Sequence, residues 1–198
     1  MLDNNSSILI LPEIVLASGS PRRSEILASV GWSFVKDVAD VDESECAGES
    51  PEDYVKRLSL EKASAVAIRN EGRITLGADT TVVIDGQIIG KPVDLDDAAR
   101  MLRLLSGNWH EVLTGVSLVR YSGGELISVT DMQRTRVKFA ELSDEEVGFL
   151  VRFGEPLDKA GAYAVQAQAA LFIEGIEGDY WNVVGLPINM VFGMMQRF

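Results

Sequence analysis

Residues 16–23, which read LASGSPRR, combine small side chains, hydroxyls and two arginines near the start of the chain. Residues 14–17 predict a buried strand, and Ser20 followed by Pro21 predicts the start of a helix that ends near Gly31. The unpaired N–H groups and the dipole at such a helix start favour an anion. Two arginines in the first turn are then explained if an anion binds between them. The alternative is a simple helix start with solvated arginines, and spacing alone favours neither.

Two further charged side chains fall among apolar ones. Lys62 lies within the apolar stripe of a helix that is predicted to begin after Ser50 and to run towards residue 69. It either snorkels from the helix edge or directs its ammonium at a phosphate. Asp79 interrupts a strand predicted over residues 76–84, where a carboxylate is costly to bury unless it is paired or metal-bound. The alternative for Asp79 is a strand-end aspartate that caps a loop.

Two neighbouring features bear on Asp79. Asp85-Gly86 is typical of a two-residue hairpin turn, and simple register then places Lys91 opposite Thr80. An acidic cluster at residues 42–45 precedes the second helix, and it is either a solvated loop or a source of oxygen ligands for a hard cation such as Mg²⁺.

The composition limits what these residues can do. The chain of 198 residues is 46% apolar, which excludes general disorder, and its net charge of −12 argues against a surface that wraps nucleic acid. An anionic partner must therefore be bound locally, which points to a small molecule. With one cysteine and one histidine, Cys46 and His110, an intrachain disulfide, a zinc site and a serine triad are unsupported, and His110 is expected to be structural. Since no basic residue precedes Arg22 and no long apolar run occurs, we expect a soluble, cytoplasmic protein that does not enter a membrane.

Strand and helix signals alternate along the chain, which predicts an α/β fold with a mixed sheet. Besides the elements above, helices are predicted after Asp94, over residues 143–154 and after Pro187. The remaining strands are predicted over residues 87–89, 112–120, 128–139, 169–174 and 180–184.

Taken together, four motifs resemble those of the Maf family of nucleoside triphosphate pyrophosphatases. They are LASGSPRR at 16–23, LGADT at 76–80, GKP at 90–92 and EPLDKAGAY at 155–163. The resemblance extends from about Val15 to Pro187, and residues 1–13 form an N-terminal extension to the single domain that spans residues 1–198. It implies a mixed, twisted sheet with flanking helices and two lobes around a cleft, similar to inosine triphosphate pyrophosphatases.

The resemblance also implies an activity and residue roles. The expected reaction is hydrolysis of a nucleoside triphosphate to the monophosphate and pyrophosphate with a divalent cation, Mg²⁺ or Mn²⁺. Asp79 matches the family's proposed proton acceptor, and with Glu43 it would hold the cation. Positions associated with substrate choice are Arg22, Thr80 and Gln166; those that contact phosphate or metal are Ser18, Arg23, Glu43, Lys62 and Lys91.

The stretch from Ala162 to Gln166 is similar to the subgroup that acts on dTTP and UTP, rather than the subgroup that acts on 7-methyl-GTP. Ala164 and Ala167 depart from it, because glycines commonly stand there. A methyl group would disturb the pocket if either position required a positive φ or close approach of the base. A nucleotide-binding regulator of cell division with little catalysis is the alternative function, and a homodimer is left open.

Overall fold

The computed structural model describes residues 11–198. They form a seven-stranded sheet and six α-helices. The strands are β1 (Ile14–Leu16), β2 (Phe34–Lys36), β3 (Ile74–Ile84), β4 (Gln87–Ile89), β5 (Trp109–Ser122), β6 (Glu125–Phe139) and β7 (Ile173–Glu177). The helices are α1 (Pro21–Ser29), α2 (Pro51–Ala67), α3 (Leu95–Leu105), α4 (Asp144–Phe153), α5 (Tyr180–Val184) and α6 (Ile188–Met195).

The helix starts follow the predicted capping signals. Ser50, Asp94 and Ser143 each accept a hydrogen bond from the backbone N–H three residues further on, at the starts of α2, α3 and α4. Ser20 occupies the corresponding position before Pro21, yet among the described residues its side chain makes no such bond. The first turn of α1 therefore keeps its N–H groups uncapped by this hydroxyl.

The sheet is mixed, as predicted. Its order is β2-β1-β3-β5-β6-β7, with β4 also paired to β3. Strand β1 runs parallel to β2 and β3, whereas the remaining pairs are antiparallel. The predicted hairpin turn joins β3 to β4, and both Asp85 (φ 51°) and Gly86 (φ 76°) adopt the left-handed conformation that this turn requires.

One edge of β3 is unpaired along its middle. Strand β1 pairs with β3 only as far as Leu76, and β4 pairs with it from Val82 onward. On the opposite edge, β5 pairs with β3 continuously from Ile74 to Val83. The backbone of residues 77–81 is therefore fixed on one side and, within the described chain, open on the other.

Helix α2 lies unusually close to the sheet because two glycines face it. A Cβ at Gly77 would lie 2.3 Å from the carbonyl oxygen of Ser59, and one at Gly115 would lie 2.1 Å from that of Val55. Side chains two residues apart on a strand share a face, so this contact places the next turn of α2 above Asp79. The largest apolar core lies on the other face of the sheet, where α3, α4 and α6 pack.

The predicted strand over residues 180–184 is wrong, because these residues form α5. Tyr, Trp and Val favour strands, but the side chain of Asp179 accepts a hydrogen bond from Trp181 N at 2.8 Å and starts a helix instead. Tertiary contacts then hold the helix, since Asn182 is fully buried.

The strand predicted over residues 169–174 is also displaced. Gln168–Leu171 forms a 3₁₀ turn, and β7 begins only at Ile173. Strand β2 was not predicted, since its three residues carry no periodic pattern of their own.

The N-terminal extension is described only in part, since residues 1–10 lie outside the described residues. Next to them, the carbonyl oxygen of Pro12 accepts a hydrogen bond from Trp32 Nε1 at 2.9 Å, and Glu13 forms an ion pair with Arg73. Along residues 11–198, none of the helices has the length and apolar character that a bilayer crossing requires.

Candidate active site

A cavity of about 520 Å³ borders the open edge of β3. Its walls come from the β1–α1 loop, α2, β3, residues 158–166 and the end of α5. The sequence-predicted site residues all line it: Ser18, Arg22, Arg23, Glu43, Lys62, Asp79, Thr80, Lys91 and Gln166. The structure thus brings together residues that are up to 148 positions apart, while their individual roles stay predictions.

Adjacent residues of β3 reach this cavity from opposite faces of the sheet. Asp79 contacts Lys62 of α2, whereas the hydroxyl of Thr80 contacts Arg23 of α1. Because the strand edge is unpaired here, both side chains border the same space. The sheet edge is therefore the floor of the site.

The cavity is cationic within an acidic chain. Its lining includes the cationic side chains of Arg22, Arg23, Lys62, Lys91 and Lys159 and the anionic side chains of Glu43, Asp79 and Asp158. This leaves a surplus of two positive charges, whereas the whole chain carries −12. Low-dielectric walls focus such a local charge, so the cavity favours an anion.

Lys62 joins the two predicted acidic site residues. Its Nζ lies 2.6 Å from Asp79 Oδ1 and 2.6 Å from Glu43 Oε1. Lys62 and Asp79 are buried, whereas the side chain of Glu43 is 48% exposed. Burial raises the pKa of Glu43, but the hydrogen bond of Lys62 and the charges of Lys62, Lys91 and Arg23 together outweigh burial and hold this pKa below its ordinary value. Lys62 thus forms a buried ion pair with Asp79 and does not snorkel.

Arg23 fixes the β1–α1 loop against the rest of the site. Its Nη1 donates to Ser18 Oγ at 3.0 Å, its Nη2 donates to Thr80 Oγ1 at 3.0 Å, and its Nε donates to the carbonyl oxygen of Gly185 at 2.9 Å. Ser18 Oγ also accepts a hydrogen bond from Ser20 N at 3.2 Å. Burial lowers the pKa of Arg23, with Asp79 acting in the opposite sense. A guanidinium carries five N–H donors, so this arginine can hold the loop and still donate to a ligand.

Arg22 points to a different partner from Arg23. Its Nη1 donates to Asp158 Oδ2 at 3.2 Å, and Asp158 Oδ1 accepts a hydrogen bond from Lys159 Nζ at 2.6 Å. Burial raises the pKa of Asp158, but these two cations outweigh it and leave the pKa below its ordinary value. Asp158 and Lys159 lie in the EPLDKAGAY motif, but sequence analysis assigned them no role, because Arg22, the partner that ties Asp158 to the site, is distant in sequence.

Lys91 and Gln166, like Glu43, are exposed members of the site. The observed pairing of Val82 with Ile89 has the predicted register, although the ladder stops at Ile89, before Lys91. Lys91 forms no ion pair with any residue that the structure describes, so its ammonium is available to a ligand.

The acidic cluster contributes one side chain to the cavity. Glu43 lines it, whereas Asp42 is exposed and accepts a hydrogen bond from Ser44 N at 2.9 Å. Tyr54, which sequence analysis missed, donates its hydroxyl hydrogen to the carbonyl oxygen of Glu43 at 3.0 Å. Burial and the charges of Asp79 and Glu43 raise the pKa of Tyr54 to about 12, so this hydroxyl remains a donor.

The acidic side chains of the cavity determine whether a divalent cation could bind there. Within residues 11–198, no three acidic, histidine or cysteine side chains are arranged to hold a metal ion. Glu43 and Asp79 nevertheless line the cavity together. Mg²⁺ typically keeps several waters and binds through one or two carboxylates plus substrate phosphates. The two carboxylates therefore fit a cation that is bound jointly with a polyphosphate.

His110 is buried, in agreement with its expected structural role. Its Nε2 lies 2.7 Å from the hydroxyl oxygen of Tyr163, a residue of the cavity wall. Burial lowers the pKa of His110 to about 4, so the imidazole is neutral near pH 7.

The two alanines that depart from the dTTP/UTP subgroup are not strained. Non-glycine residues with positive φ among the described ones are Asp85, Glu155 and Ala162, so neither Ala164 nor Ala167 requires glycine for backbone conformation. Ala164 lines the cavity, whereas Ala167 is exposed and does not.

Comparisons with known proteins agree with this fold and these motifs. The "dTTP/UTP pyrophosphatase" of Symbiobacterium thermophilum is 50% identical over 188 residues, covering 95% of both chains. That of Koribacter versatilis is 48% identical over 184 residues, covering 93% of both chains. The solved Ham1 protein of Staphylococcus aureus matches 93% of this chain and 98% of its own with a TM-score of 0.51 and 14% identity, which confirms the predicted fold. The family model described as "Maf-like protein" matches residues 13–198, and the chain belongs to the Maf family.

Proposed function

We propose that this protein is a nucleoside triphosphate pyrophosphatase that hydrolyses dTTP and UTP to the monophosphate and pyrophosphate. The observation that carries the proposal is the buried Asp79–Lys62 pair in a cationic cavity of an otherwise acidic chain. Relatives that are about half identical over nearly the whole chain are named dTTP/UTP pyrophosphatases.

The cations account for binding of the triphosphate. Lys91 is exposed at the rim, Arg22 and Lys159 share the single carboxylate of Asp158, and Arg23 lies at the base of the loop. Phosphate oxygens would displace part of these internal contacts and gain charge-assisted hydrogen bonds. The uncapped first turn of α1 supplies further N–H donors.

Asp79 is proposed to accept a proton from the attacking water. The water oxygen bonds to the α-phosphorus, the bond from that phosphorus to the bridging oxygen breaks, and pyrophosphate leaves with the bonding electrons. The ammonium of Lys62 keeps Asp79 oriented through their 2.6 Å contact and stabilises negative charge that accumulates nearby. Catalysis then depends mainly on positioning and electrostatics.

A divalent cation, Mg²⁺ or Mn²⁺, is proposed to bind with the substrate through Glu43 and Asp79. When bound, it would supply positive charge that polarises the phosphate oxygens. Since Lys62 contacts both carboxylates, it fixes their spacing before the substrate arrives.

Gln166 is proposed to recognise the base. Its amide offers a donor and an acceptor side by side, which match a carbonyl oxygen and the N3–H of uracil or thymine. The side chain is exposed and lines the cavity, as a residue that meets an incoming base must be.

The proposed partner is this nucleotide rather than a nucleic acid or a membrane, and the proposed location is the cytoplasm. The net charge of −12 disfavours binding of a polyanion to the outer surface, which supports a small nucleotide rather than a nucleic acid as the partner. Free nucleotides are most abundant inside cells, which supports the proposed cytoplasmic location.

The decisive experiment is a panel of triphosphates, scored by kcat/KM for pyrophosphate release with Mg²⁺ or Mn²⁺ and with EDTA as control. We expect dTTP and UTP to exceed CTP, dATP and 7-methyl-GTP, and EDTA to abolish turnover. Tight nucleotide binding without pyrophosphate release would instead support the regulator of cell division. A preference for 7-methyl-GTP would overturn the substrate assignment alone.

A further inference from the structure

The cavity wall that carries Gln166 packs into the apolar core through Tyr163 and Val165, but it makes few hydrogen bonds to distant parts of the chain. Among the described residues, two hydrogen bonds join residues 160–167 to parts of the chain that are distant in sequence. One runs from Gly161 N to the carbonyl oxygen of Gly90 at 3.1 Å. The other joins the hydroxyl of Tyr163 to Nε2 of His110 at 2.7 Å. Of these two bonds, the one made by Tyr163 is nearer to Gln166 in sequence.

The backbone at the start of this wall has a conformation that is not favourable by itself. Gly161 (φ 68°) and Ala162 (φ 64°) are both left-handed, and the latter conformation is unfavourable for a residue with a side chain. Such a backbone persists when the surrounding structure holds it in place. Tyr163 follows directly, and its side chain reaches the central sheet.

The partner of Tyr163 is built into the sheet. His110 lies on β5, is 2% exposed, and its ring is tilted against Phe139, with centroids 5.8 Å apart. Tyr163 packs edge-on against both rings. Burial lowers the pKa of His110 to about 4 and raises that of Tyr163, so both groups are neutral when they form the hydrogen bond.

We propose that Tyr163 and His110 are a positioning pair, which sets the affinity for the nucleotide by fixing the wall formed by residues 164–166. This inference rests on the proposed function for its ligand. The hydroxyl of Tyr163 is hydrogen-bonded to the imidazole of His110. Tyr163 therefore affects the substrate by positioning the wall and not by contacting the reacting atoms. Loss of the hydrogen bond loosens the wall and raises KM, whereas the reacting groups on β3 and α2 stay in place.

The test compares Tyr163→Phe, which removes one hydroxyl, with Ser117→Ala as a matched control. Ser117 is fully buried, its hydroxyl contacts Ser59 Oγ at 2.9 Å and Thr130 Oγ1 at 2.8 Å, and it does not line the cavity. For Tyr163→Phe we expect KM for UTP to rise about tenfold, as for one lost hydrogen bond, with kcat within about twofold. Ser117→Ala should lower Tm and leave KM unchanged.

The sole histidine of the chain gives a second measurement. In ¹⁵N-histidine-labelled protein, Tyr163→Phe should shift the Nε2 resonance, and amide exchange should accelerate within residues 160–167 and not in β5. A shifted resonance with unchanged KM and unchanged exchange would overturn the positioning role. So would an equal rise of KM in Ser117→Ala.

Failure of the proposed function is a separate outcome. If the wild-type protein binds UTP without releasing pyrophosphate, the calorimetric Kd for UTP replaces KM, and a tenfold weaker Kd in Tyr163→Phe still supports the pair. An unchanged Kd overturns it. If the wild-type protein does not bind UTP at all, both proposals are overturned.

Discussion

The ammonium of Lys62 lies 2.6 Å from Oδ1 of Asp79, and each of the two side chains is 11% exposed. The pair joins a helix to a strand at the point where Gly77 allows their backbones to approach. Taking two charges out of water is costly, and one carboxylate with one ammonium offsets that cost only with good geometry. The arrangement is therefore sensitive to the loss of either partner.

Replacing Asp79 by asparagine should reduce pyrophosphate release by about 10³-fold, the scale of a lost general base. Asparagine has nearly the same shape and keeps an oxygen for Lys62, so the fold should persist. Turnover is measured by pyrophosphate release and the fold by circular dichroism. Wild-type release by a folded Asp79→Asn variant would refute the assignment of the base.

Replacing Lys62 by methionine should lower both activity and stability. It leaves Asp79 buried without its cation, and we expect a loss of about 3 kcal/mol in the free energy of unfolding, at the low end for a broken buried pair because Asp79 borders the cavity. Urea unfolding measures this loss. Lys62→Arg, which keeps the charge, is the control and should recover stability better than activity, because its larger planar head changes the geometry.

A methyl group at position 77 should displace α2 and so alter the cavity, although Gly77 does not itself line the cavity. The Cβ of Gly77→Ala would lie 2.3 Å from the carbonyl oxygen of Ser59, which forces α2 away from the sheet. We expect a loss of about 2 kcal/mol or more in unfolding free energy and a lower kcat, since Lys62 moves with the helix. Gly148→Ala in α4, where nothing lies within 4 Å of the added atom, is the control and should be neutral or stabilising.

Stability should fall in mild acid because of His110. Burial lowers its pKa from 6.5 to about 4, so the unfolded chain binds a proton more readily than the folded one. The contribution is complete above pH 6.5, is lost as the pH falls from 6.5 towards 4, and amounts to about 3 kcal/mol.

Urea unfolding between pH 7.5 and 4.5 measures this slope, and NMR titration of the single histidine measures the pKa directly. Carboxylates such as Asp37 and Glu49, whose pKa values are held near 2 by arginines, lose their stabilising effect only at lower pH. An imidazole that titrates near 6.5 in the folded protein would contradict the prediction.

The parts of the fold that sequence predicts are those whose signals are local. Ser50-Pro51 and Ser143 predict helix starts, and Asp85-Gly86 predicts the hairpin, because caps and turns are specified by adjacent residues. Asp79 is conspicuous for a similar reason, since a charged residue in an apolar strand is rare.

The remainder depends on contacts between distant residues. The sequence around Tyr180 has the composition of a strand, and only the cap from Asp179 and the buried contacts of Asn182 make it a helix. In the same way, nothing near Arg22 in sequence indicates that Asp158 is its partner, 136 residues further on. Such pairings become visible only when the sheet order is known.

The unpaired edge of β3 at residues 77–81 has an evolutionary consequence. The floor of the cavity is main chain that is held in place by pairing with β5, whereas the surrounding loops come from separate parts of the polypeptide. Substitutions in those loops can change which nucleotide is admitted without displacing the side chains on β3 that are proposed to act on its phosphates. The scaffold can therefore diversify in selectivity while retaining one reaction.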